Sequence, residues 1–257
     1  MKQSAFIVIL FFIALIISIA IYEYGFGNPV NFKDPSSREV PVNLMGQIYT
    51  GGPLVALLIT LSIMDFAIII ERILSLSKAA GNKSVQKFFK DVFEKVRADK
   101  IDEAIQLCDA QRGSIANVIK VALTRYKELN AEKQSTDQEK QLVEIQRSIE
   151  EATMLETPLL EKNLIALSTI ASIATMVGLL GTVIGMIRSF RALAHAGAPD
   201  AIQLATGISE ALVNTAGGLF VAILGIVAYN FFVNKVDNFT YQIDEASYNI
   251  LQIFKSK

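Results

Sequence analysis

Cysteine, histidine and tryptophan are almost missing from this 257-residue chain. Cys108 stands alone, which excludes an intramolecular disulfide and a cysteine-built metal centre. His195 is the only histidine and has no Cys, His or carboxylate at ligand spacing, so no metal site is expected. Neither sign of charge dominates: the formal net charge is −1, which excludes a broadly basic nucleic-acid surface. Nucleophile elbows, phosphate loops and paired catalytic carboxylates are also missing. The chain therefore does not read as an enzyme, and no cofactor is expected.

Apolar residues are abundant. They make up 52% of the chain, and the mean hydropathy is +0.41, too apolar for an ordinary soluble domain. The charged 19% is segregated from four apolar stretches at roughly residues 5–21, 53–70, 164–187 and 211–233. Each is close to the ~20 residues that a bilayer-spanning helix needs. The fold class is all-α: a polytopic membrane protein with four spans and a helical domain between the second and third.

Sixteen of the 24 Lys and Arg residues fall in residues 72–162, whereas the connection between the first two spans holds only Lys33 and Arg38. The positive-inside rule puts the middle segment and both chain ends in the cytoplasm. The expected organisation is a membrane helix at 1–24, an outer loop at 25–52, a second membrane helix at 53–78, a cytoplasmic helical domain at 79–162, a membrane hairpin at 163–235 and a cytoplasmic helix at 236–257. The first stretch has features of a signal peptide, but its apolar core of 17 residues reads as an uncleaved anchor. Residues 25–52, with Asn28-Pro29, Pro35 and Pro41, read as an irregular loop without assignable chemistry.

In the middle segment, Phe88, Phe89, Val92 and Val96, then Ile101, Ala104, Ile105 and Leu107, recur at helical spacing. Gly113-Ser114 breaks the pattern, residues 130–139 form a polar connector, and Leu142, Ile145, Ile149, Thr153 and Glu156 restore it. A helix-loop-helix array follows, read as a solvated extension of the spans, with a docking surface as the alternative. After the fourth span, Phe239, Ile243, Ala246, Ile250 and Phe254 continue a helical pattern.

The third span carries Ser168, Thr175, Thr182 and Ser189 seven residues apart, with Ser172 between the first two. These hydroxyls form one stripe, beside a second face of Gly178, Gly181 and Gly185 suited to close helix contact. The stripe reads either as packing or as a pore wall. A turn at the Gly197-Ala198-Pro199 corner would bring Thr182 and Thr215 to similar depth, with Glu210 roughly 18 Å along the helix from that corner. Asn214 shares the helical face of Glu210. A carboxylate within a span is a functional candidate by default. For Glu210 the two readings are a proton relay and an ion pair with Arg188 across the hairpin. Asp65, inside the second span, reads either as a transport carboxylate or as a group close enough to Arg72 and the interface to be solvated there.

The segments G-L-L-G-T-V-I-G-M-I-R-S-F at 178–190 and I-S-E-A-L-V-N-T-A-G-G-L-F at 208–220, with A-Y-N at 228–230, resemble the hairpin of the MotA/TolQ/ExbB proton-channel family, nearest its ExbB and TolQ branches. A weaker resemblance covers residues 51–76, where G-G-P and I-I-I-E-R-I-L are similar to that family's first span. The resemblance implies a homo-oligomeric inner-membrane ring, usually a pentamer, in membrane lipid around an ExbD- or TolR-like single-span partner. Proton flow would then energise a TonB-like protein and transport across the outer membrane, with envelope maintenance of the TolQ type or a non-conducting scaffold as alternatives. By motif position Glu210 matches the family's membrane glutamate, and Thr182 and Thr215 match its pore-facing threonines. Asn214, Thr175, Arg188 and the additional amino-terminal span depart from the family pattern.

Overall fold

The structure is a computed structural model, and it describes residues 2–34, 36–38, 40–82, 84–132, 138–194 and 200–256. His195, the Gly197–Pro199 corner, Pro35 and most of the polar connector before Glu139 lie outside the described residues.

Helices account for nearly all of it. They are α1 (Lys2–Ala20), continued by a π-helical turn (Ile21–Phe26), α2 (Leu44–Tyr49), α3 (Pro53–Ala80), α4 (Val85–Arg97), α5 (Ile101–Gln111), α6 (Ser114–Glu132), α7 (Gln138–Leu160), α8 (Leu164–Ala194) and α9 (Ala201–Lys255). Among the described residues there is no strand, only an isolated bridge between Phe32 and Pro41. Stretches long and apolar enough to cross a membrane lie within Ala5–Phe26, Pro53–Arg97, Gln138–Ala194 and Ala201–Lys255. The protein is an all-α polytopic membrane protein.

The chain divides into two units, one of Met1–Ile70 with Asn163–Asn230 and one of Glu71–Lys162 with Phe231–Lys257. In the first unit, α1 shows lipid-type residues such as Ile9, Phe12 and Ile16 on its surface, and Ala14 and Ser18 on α1 with Tyr22 on the π-helical turn form a narrow buried stripe. Their four-residue spacing puts them on one face. Ser18 and Thr60 share a buried hydrogen bond of 2.6 Å, which ties α1 to α3.

The outer loop is more ordered than its composition suggests, and asparagine side chains are the reason. Asn28 and Asn43 cap the short 3₁₀ turn Pro29–Asn31 and α2 by accepting from Val30 N and Gly46 N. Asn31 donates to the carbonyls of Gly25 and Phe26 and accepts from Asn43. Tyr22 stacks on Tyr49 at 4.6 Å and donates to its carbonyl oxygen.

Helices α8 and α9 pair in a register marked by missing side chains. A Cβ on Gly185 would lie 2.6 Å from Ala211 N, one on Gly178 would lie 3.1 Å from Gly218 Cα, and one on Gly181 would overlap the Asn214 side chain. This antiparallel register sets position 181 beside 214 and position 185 beside 211.

In the second unit α4 to α7 form a helical array around Phe88, Val92, Val96, Ala104, Val118, Ile119, Leu123, Ile145 and Ile149. Cys108 joins this core, and burial pushes its thiol up to about 12, so it behaves as a small apolar side chain. Arg72 is fully buried, with two bonds to Glu71 and one to the Leu160 carbonyl. Phe239, Ile243, Ala246, Ile250 and Phe254 are all buried, and Phe254 stacks on Tyr126 at 3.9 Å. Gln138 also donates to the Phe254 carbonyl at 3.4 Å.

A buried carboxylate clasped by three elements

Glu210 on α9 is the centre of a polar cluster in the first unit. Its side chain is 4% exposed, and Oε2 accepts from Arg188 Nη1 on α8 at 2.7 Å. The arginine is on the opposite footing, with 56% of its side chain exposed. The hairpin register produces this pairing, because it sets positions 188 and 210 at nearly the same level. Thus one partner of the ion pair is dry and the other is accessible.

The turn before α3 closes over the carboxylate. Gly52 has a φ of +75°, a left-handed conformation that favours glycine, and a Cβ there would stand 3.0 Å from Glu210 Oε1. Pro53 then opens α3, where its missing N–H leaves no bond unmade. Asn214, one turn after Glu210, is fully buried and donates to the Gly51 carbonyl at 2.7 Å and to the Glu210 carbonyl at 2.9 Å, while its Oδ1 has no partner. Thr50 and Ser209 approach at 3.4 Å on the same side. Asn214 therefore holds the Gly51-Gly52 turn from α9, and the paired Glu210 and Arg188 side chains lie against Gly52.

The hydroxyl stripe is arranged differently. Thr182 donates to the Leu179 carbonyl at 2.6 Å and Thr215 to the Ala211 carbonyl at 3.0 Å, so each turns back on its own helix although the register puts them at one level. Ser168, Ser172 and Thr175 do the same, to Ile165, Ser168 and Ala171. These three flank the buried seam residues Leu167, Ala171 and Ala174 one position on. Ser189 alone is buried, and it also donates to Leu204 O on α9.

Asp65 is not a charge partner and is not solvated near the interface. It is fully buried, and neither carboxyl oxygen has a hydrogen-bond partner. This complete burial runs against the reading of Asp65 as a carboxylate solvated at the interface. No group of three potential metal-binding side chains occurs among the described residues.

The hairpin that builds this site is also where the chain meets known proteins. A model of the "MotA/TolQ/ExbB proton channel family" matches residues 109–245, more than half of the chain. The chain belongs to that family. It is 31% identical over 178 residues to the Tol-Pal system protein TolQ of Haemophilus influenzae, covering 68% of this chain and 76% of that one. The biopolymer transport protein ExbB of Neisseria meningitidis serogroup B is 25% identical over 201 residues, covering 76% and 87%. With the ExbB of Pseudomonas putida the identity is 41% over 85 residues, only 26% of that protein's length. Relatives of both names match, so the chain is of ExbB/TolQ type. Four spans and this membership make it a bacterial inner-membrane protein.

The role of the Gly51-Gly52 turn was missed by sequence reasoning, as were Tyr22 and Tyr49. A doubled glycine immediately before the proline that starts a span was the available signal, since a helix needs no such pair to begin.

Proposed function

We propose that this chain is the proton-channel subunit of an ExbB/TolQ-type inner-membrane motor. Copies of it form a ring, a pentamer by family resemblance, around an ExbD- or TolR-like single-span partner, and proton flow through the complex drives a TonB-like protein to energise transport across the outer membrane. The observation that carries this reading is the buried Glu210 carboxylate paired with Arg188, whose side chain is accessible.

A proton arriving on Glu210 converts it to the neutral acid and cancels its attraction for the guanidinium. Arg188 is then free to leave, and it returns when the proton moves on. Such a pair switches local charge without stranding an isolated ion in lipid. Thr182 and Thr215 line the same level of the hairpin, and their hydroxyls exchange an own-helix carbonyl for water or a partner carboxyl at little cost.

The test is uptake of a ferric chelate by cells carrying Glu210→Gln, with protein level and ring assembly confirmed on a native gel. The expected outcome is loss of uptake with an intact ring. Uptake at the wild-type rate overturns the TonB-linked reading. A TolQ-type role in envelope maintenance is the second reading, favoured by the 31% identity over 178 residues to a TolQ protein. It predicts that the same cells keep uptake but leak periplasmic protein, whereas a passive scaffold predicts neither defect.

A further inference from the structure

Asp65 lies outside the Glu210 cluster and takes no part in the function proposed above. It sits on α3 at zero exposure, with both carboxyl oxygens unpartnered. The space around it is defined by Gly225 on α9: a Cβ there would stand 3.1 Å from Asp65 Oδ2, 3.1 Å from Ala171 Cβ and 3.3 Å from the Leu167 carbonyl oxygen. The carboxyl therefore occupies a junction of α3, α8 and α9 that exists because residue 225 has no side chain.

No charge on the surrounding elements compensates a carboxylate at that point. Residues 164–187 of α8 hold no ionisable side chain, residues 211–234 of α9 hold only Tyr229, and residues 5–21 of α1 hold none. On α3 itself the nearest charges in sequence are Glu71 and Arg72, which bind each other. Arg188 and Glu210 are likewise paired with one another. An ionised carboxylate without a protein cation or donor is disfavoured in such a place far more strongly than a neutral polar group left unbonded. The neutral carboxylic acid is the only form the site admits, and the orphaned oxygens are where its ligand belongs.

We propose that Asp65 is a second, resident proton-binding site of this chain, in which a single proton on the carboxyl holds α3 against the glycine notch of α9. Its ligand is the proton alone: binding closes one O–H bond and changes no other. Loss of the proton would leave a bare carboxylate in the notch, and α3 would have to part from α9 to admit water. Occupancy of this site is thereby coupled to helix packing, independently of whether Glu210 conducts.

Infrared spectroscopy of the purified full-length protein tests this. At neutral pH the wild type is expected to show the carbonyl band of a protonated carboxyl group. That band should shift in protein grown with carboxyl-labelled aspartate, vanish in Asp65→Asn and survive in Glu210→Gln. Asparagine has the shape of the neutral acid, so Asp65→Asn should also keep the wild-type melting temperature. Absence of any aspartate-sensitive band in the wild type, or persistence of that band in Asp65→Asn, overturns the site. The labelled wild type still decides the question if the variant fails to fold: a protonated-carboxyl band that does not respond to the aspartate label overturns the site. No readout here depends on transport, so failure of the motor reading leaves this result standing.

Discussion

Gly52 shows how much can depend on one hydrogen atom. Its left-handed φ and the 3.0 Å approach of its would-be Cβ to Glu210 Oε1 are separate obstacles to any side chain. Gly52→Ala should therefore cost about 1–3 kcal/mol from backbone strain, read as a lower melting temperature of the detergent-solubilised protein. Gly25→Ala is the matched control: its Cβ would meet nothing nearer than Ile21 Cγ2 at 3.9 Å, and it should be neutral or slightly stabilising. If both variants melt alike, the clasp on Glu210 does not constrain the turn. At this scale the sequence was informative about which residues were out of place and less so about their partners. Glu210 could be paired with Arg188 by counting back from a turn, because a hairpin has only one depth coordinate. Asp65 could not be placed, since its neighbour Gly225 lies 160 residues away and neither residue records the other.

The elements were legible wherever hydropathy or helical period decides. The spans and the α4–α7 array follow from apolar spacing alone, and the buried positions Val92, Val96, Ile145, Ile149 and Ile243 fall on it. Helix α2 and the π-helical turn did not stand out, because short helices are held by tertiary capping and not by a repeating pattern. Between α8 and α9, backbone contact replaces side-chain interdigitation. Gly181→Leu should split that seam, since even a Cβ at this position overlaps Asn214, with a loss of about 1–3 kcal/mol or more and faster amide exchange along both helices. Ser172→Leu, on the exposed flank of the same helix, should leave exchange unchanged. Equal effects of the two substitutions would mean that the hydroxyl stripe, and not the glycine face, holds the hairpin.

Taken whole, the molecule joins two units with different sources of stability. The first is held by apolar contact around a few dry polar groups, and the second adds ion pairs on its solvent side, such as Lys95 and Lys100 on Glu103 at 2.6 and 2.9 Å. Those two ammonium groups hold the Glu103 carboxyl below the usual carboxylate range. A carboxyl lowered on folding contributes stability that is present above its unfolded value and lost as pH falls through the folded one. Acidification below the carboxylate range should therefore speed amide exchange at the α4–α5 corner, modestly because the pair is exposed. Glu103→Gln should show that faster exchange already at neutral pH and no further acid step. An unchanged acid step in the variant would mean that Glu103 is not its source.

The stack of Phe254 on Tyr126 has a consequence for biosynthesis. Tyr126 leaves the ribosome before either arm of the membrane hairpin, and Phe254 leaves after both. The second unit therefore stays an unfinished array, with its Phe254 seat vacant, until α8 and α9 have been translated. Closure of that seat marks the moment at which the chain has delivered its hairpin.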